Sequence, residues 1–74
     1  MDAKRKKFVE LSNIRVNKAI KAISLIGNLS NRSNYYYTKD DVVQIIDTLN
    51  SEIKSCRKKF ESINEQDKPV FELR

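Results

Sequence analysis

The 74 residues, 39% hydrophobic and 34% charged, hold at most one small domain and are too few for a multi-domain enzyme. There is no histidine, no tryptophan, and one each of glycine, proline and cysteine. That excludes an intramolecular disulfide, a structural zinc site of the Cys/His kind and a phosphate cradle built from several glycines, while a net charge of +5 favours polyanionic partners without specifying a fold.

The first predicted element is a helix over residues 3–26, which contain neither glycine nor proline. Its mostly apolar row, Val9, Ser12, Val16, Ala19, Ile23 and Ile26, steps by three and four, with Phe8, Leu11 and Ala22 beside it. At about 100° per residue, these positions and Ile20 cover roughly 180° of the helix, wider than the ~100° stripe that suits one neighbour. The helix is therefore expected to touch more than one partner helix. Lys6, Glu10, Asn13, Asn17, Lys21 and Ser24 face the opposite side. Arg15 falls inside the apolar arc, where it must snorkel outward or find a carboxylate.

Gly27 follows the last periodic position and is expected to end the helix in a left-handed conformation. Residues 27–38 then read as a loop, since Asn28, Ser30, Asn31, Ser33 and Asn34 compete with helical hydrogen bonds through their own side chains. Thr38 to Asp41 matches a capping box, with Tyr37 and Val42 placed for the accompanying hydrophobic staple. Asp40 and Asp41 also suit the positive end of a helix dipole.

A second helix is predicted over 39–63. Val42, Ile46, Leu49, Ile53, Cys56, Phe60 and Ile63 are spaced 4, 3, 4, 3, 4 and 3, an uninterrupted heptad seam on which Cys56 acts as a buried small apolar residue. After Ile63 the helix is expected to fray, because residues 64–67 carry no apolar periodicity and Pro69 cannot continue a helix. Residues 64–74 form a tail in which Val70, Phe71 and Leu73 have an opportunity to dock.

The expected fold class is thus all-α: an antiparallel hairpin of two matched helices over residues 1–63, dimerising into a four-helix bundle. Self-association is expected because so short a chain buries too little surface alone. Val9, Val16, Ile20, Ile23, Leu49, Ile53, Cys56 and Phe60 are the expected interface. No stretch approaches the ~20 apolar residues of a membrane span, and the first residues lack the features of a signal peptide, so a cytoplasmic protein with no membrane partner is expected.

No catalytic residue, metal ligand or cofactor is expected, since the chain lacks a histidine base. Two basic groups stand out: Lys4, Arg5, Lys6 and Lys7, and Lys54, Arg57, Lys58 and Lys59. An antiparallel hairpin would set them side by side as a pole able to grip the phosphates of RNA or other nucleic acid. The alternative is an ordinary mixed-charge surface, because Asp2, Glu10, Glu52, Glu61 and Glu65 lie in the same region. The loop over 28–37 offers a second candidate surface in Arg32, Tyr35 and Tyr36, suited to stacking on a base or filling a protein groove, with Tyr37 expected to cover the end of the core. Three functions stay open: a nucleic-acid-binding module using the basic pole, a protein interaction module or inhibitor using the loop and tail, and a sink for small nucleotides at Arg32 and the loop tyrosines.

The segment Ser55-Cys56-Arg57-Lys58-Lys59-Phe60, on a helix of this kind, resembles the end of the second helix of the Rop family of plasmid RNA-organising proteins. The resemblance implies a dimeric four-helix bundle and RNA binding. The long loop departs from that family's tight turn, and no binding residue is carried over. The stretch from Arg15 to Thr38 is also similar to small helical proteins of bacteria and mobile elements.

Overall fold

The computed structural model describes the backbone of residues 2–67 and the side chains of residues 2–62. Pro69, Val70, Phe71 and Leu73, and with them the expected docking of the tail, lie outside the described residues. The protein is all-α: its elements are helix α1 (Ala3–Gly27), one 3₁₀ turn (Asn28–Ser30) and helix α2 (Lys39–Asp67), and the described residues contain no strand. The chain divides into two compact units, Met1–Tyr36 and Tyr37–Arg74, and each is described by itself.

In the first unit, Asp2 caps α1. Its Oδ1 accepts a hydrogen bond from the Lys4 amide at 2.9 Å, and its carbonyl accepts from the Lys6 amide at 3.0 Å. An aspartate at this position satisfies an otherwise orphaned amide and complements the helix dipole.

The other end of α1 corrects the sequence expectation. Gly27 is not left-handed: its φ of −58° and ψ of −30° are right-handed helical, and no described residue has a positive φ. The chain does not reverse there. It continues in the same hand, with the Asn28 amide donating to the Ser24 carbonyl, and the 3₁₀ turn takes up what the sequence assigns to the start of the loop. Regular winding ends only at Asn31, whose φ of −69° and ψ of 100° are extended.

Asn31 then organises the turn that follows. Its side-chain Oδ1 accepts from the Ser33 amide at 3.0 Å, while its carbonyl accepts from the amides of Asn34 at 3.1 Å and Tyr35 at 3.0 Å. This is the side-chain competition that makes asparagine a turn former.

In the second unit the capping box is formed in both directions. The Asp41 amide donates to Thr38 Oγ1 at 3.1 Å, and the Thr38 amide donates to Asp41 Oδ2 at 2.9 Å. The Val42 amide reaches the Thr38 carbonyl at 3.3 Å, the first turn of α2. The shorter aspartate thus closes the ring usually made by glutamate. Tyr37, just ahead of the cap, is half-buried.

α2 runs to Asp67 rather than fraying after Ile63. Loss of apolar periodicity removes a packing face but not the backbone's preference, and Glu65 and Gln66 are good helix formers. The firmer limit is Pro69, which excludes the residue before it from the α region.

Among the described residues no side chain is buried. Val9, Ser12, Ile26, Tyr37 and Leu49 are half-buried and the rest are exposed. Cys56, expected to be covered on the seam, is exposed. A heptad seam is covered only by the helix that packs on it, so the residue type alone does not bury the thiol.

Two substitutions test these local assignments. A Cβ at Gly27 meets nothing within 4 Å, and the backbone is already helical. Gly27→Ala is therefore expected to stabilise the fold by about 0.5 kcal/mol, where a left-handed glycine would lose stability. Thr38→Ala removes an N-cap and is expected to cost about 1 kcal/mol. Circular dichroism melts of the two variants beside the parent give both signs.

Candidate nucleic-acid interface

The two basic groups have different geometry. Lys4, Arg5, Lys6 and Lys7 are consecutive in the first turn of α1 and all exposed. Successive residues step by about 100°, so these four charges ring the helix instead of forming a stripe. Cations at this end of a helix are disfavoured by the dipole, and Asp2 is the carboxylate that offsets them. The Arg5 guanidinium also lies over the Phe8 ring, 5.9 Å from its centroid, close enough for a cation–π contact.

On α2, Lys54, Arg57 and Lys58 occupy positions i, i+3 and i+4, so they do share one face. Lys59 lies about 100° further round. All four are exposed. The stripe is bounded by carboxylates in the same rows: Asp47 is seven residues before Lys54, and Glu61 is four after Arg57. Asp47, Asn50, Ser51 and Lys54 line a shallow polar depression on this side of the helix. The apolar seam Val42, Ile46, Leu49, Ile53, Cys56 and Phe60 is centred about 120° away. Lys54 and Lys58 are thus set apart from the apolar seam, while Arg57 lies at its edge, about 60° from its centre.

The two basic groups belong to separate units, so the single pole expected from the sequence depends on the helices folding back on one another. The expected interface residues divide similarly. Val9, Val16, Ile20 and Ile23 lie along α1, and Leu49, Ile53, Cys56 and Phe60 along α2.

The sequence reading passed over several exposed apolar side chains. Ile14 and Leu25 lie outside the row that starts at Val9, and together they widen the apolar arc of α1 from about 180° to about 240°. Leu29 prolongs it into the 3₁₀ turn, while Val43 and Ile45 flank the seam of α2. Placing every apolar residue on the wheel, rather than following one row, would have found them.

In the connecting segment Tyr36 is 92% exposed and Tyr35 49%, whereas Tyr37 is half-buried. Arg32 sits in the turn set by Asn31. Among the described residues no helix is long and apolar enough to cross a membrane. Comparison with protein-family models, curated proteins and solved structures finds no match for the chain.

The graded exposure of the tyrosines predicts an order of modification. Brief nitration with tetranitromethane, located by peptide mass spectrometry, is expected to label Tyr36 ahead of Tyr35 and Tyr37. Equal labelling of Tyr36 and Tyr37 would contradict their placement.

Proposed function

We propose that the protein is a small, non-enzymatic, self-associating helical module that binds nucleic acid, RNA foremost, through phosphate contacts. The observation that carries this reading is the segregation of faces on α2. Lys54 and Lys58 are exposed and turned away from the apolar seam, with Arg57 at its edge, so helix pairing leaves these two lysines open to phosphate. Neighbours on such a stripe are about 5–6 Å apart at Cβ, short enough for their flexible side chains to reach successive phosphates of one strand. In this reading the two helices fold back antiparallel, and copies of the hairpin cover each other's apolar faces. Lys4–Lys7 then join Lys54, Arg57, Lys58 and Lys59 at one end.

Exposure of Tyr36 favours a second reading, in which Arg32, Tyr35 and Tyr36 dock into a protein partner. The two readings differ in their response to salt.

Phosphate-driven binding to single-stranded RNA should weaken with salt in proportion to the contacts made, with a log–log slope of about −0.7 per contact. Replacing Lys54 and Lys58 together by glutamine, which leaves Arg57 at the edge of the seam intact, is expected to flatten that slope by about 1.4 and to weaken binding to all RNA sequences alike. Fluorescence anisotropy titrations at several salt concentrations read both. RNA affinity unchanged in this double variant would overturn the proposal. Tight, salt-insensitive capture of a protein through Arg32, Tyr35 and Tyr36 would replace it with the second reading.

A further inference from the structure

The seam of α2 carries more information than its hydrophobicity. Its spacing fixes the heptad letters: Ile46, Ile53 and Phe60 take position a, and Val42, Leu49 and Cys56 take position d. These side chains are exposed, apart from the half-buried Leu49. In a parallel coiled coil, β-branched residues at a such as Ile46 and Ile53, with Leu49 at d, favour two strands over three or four. The flanking charges agree. In a parallel, in-register pair each g residue faces the e residue five positions on in the other chain. Glu52 at g then meets Arg57 at e, twice by symmetry, while the Ile45–Asn50 pairing brings no like charges together.

We infer that α2 pairs with α2 of a second copy of this chain, parallel and in register, through the seam from Val42 to Phe60. This rests on the self-association in the reading above, and not on nucleic-acid binding. Lys54 and Lys58 take the outward b and f positions of the pair. The dimer therefore carries two basic stripes at the same end, on opposite flanks, with little mutual repulsion. Val43 and Ile45, at e and g, flank the seam and are exposed. An antiparallel pair would also match charges, but it sets Glu52 against Lys59, a point charge, where the parallel pair sets it against the bidentate fork of Arg57, and that difference favours the parallel direction.

Cys56 reports the alignment without any substitution. In the parallel pair the two Cys56 thiols face each other across one d layer, whereas in an antiparallel pair each faces an a residue. Treating the full-length chain with copper–phenanthroline, where two thiols give up two protons and two electrons to copper(II), is expected to yield a disulfide dimer on a non-reducing gel. A Cys56→Ser, Ser51→Cys variant, with its thiol at the outward f position, is expected to remain uncoupled over the same interval. Absence of the native disulfide, or equal rates in the two proteins, would overturn the inference.

Charge exchange gives an independent readout by sedimentation. Glu52→Lys should weaken the dimer several-fold, and adding Arg57→Glu should restore it. Restoration by Lys59→Glu instead would assign the antiparallel pair. RNA titrations of the same proteins keep the two proposals apart: a cross-linked dimer that fails to bind RNA overturns only the binding reading, and an RNA-binding protein without the disulfide overturns only the alignment.

Discussion

A lone amphipathic helix has no inside. It satisfies its backbone but leaves its apolar row against water, and each Ile, Leu or Phe that a second surface fully covers contributes about 1.5–3 kcal/mol. Along α2 that row is Val42, Ile46, Leu49, Ile53 and Phe60, and along α1 it widens to include Ile14 and Leu25. Caps such as Asp2 and the Thr38–Asp41 ring fix where the helices start, yet each is worth only about 1 kcal/mol. Coverage of the apolar rows is therefore the interaction on which a stable fold depends.

The same constraint shapes what is left for function. In the proposed dimer, where pairing takes up the seam, the outward face of α2 is polar and its densest charge is Lys54 and Lys58, with Arg57 at the edge. The ring of Lys4, Arg5, Lys6 and Lys7 has no such direction, because four consecutive residues surround the axis. A stripe presents its charges to one ligand surface together, while a ring always turns some of them away. That difference in geometry makes α2 the better phosphate platform, although each group contains four cations.

Local signals were legible in the sequence where they rest on short-range chemistry. Thr38 and Asp41 close the ring that their spacing announces, and the heptad seam lies within one unbroken helix. Gly27 was misread because a glycine after the last apolar residue permits a left-handed stop without requiring one. Here the right-handed path continues through Asn28, and the break comes at Asn31. The end of α2 was set too early for a related reason. Periodicity reports burial, whereas the winding of residues 64–67 depends on backbone preference up to the neighbourhood of Pro69. Cys56 stands on another level: the thiol is exposed in the single chain, and its coverage depends on a second helix that residue type cannot supply.

The way the helix starts and the intervening turn are closed has a kinetic consequence. Asp2, Asn31 and Thr38 each hold backbone amides within three residues of themselves, so these structures form without waiting for distant parts of the chain. Contacts so close in sequence form in about a microsecond or less, far faster than two molecules meet at micromolar concentration. In the proposed dimer, assembly is then paced by the encounter of chains whose caps and turns are already in place, and their abundance sets the delay.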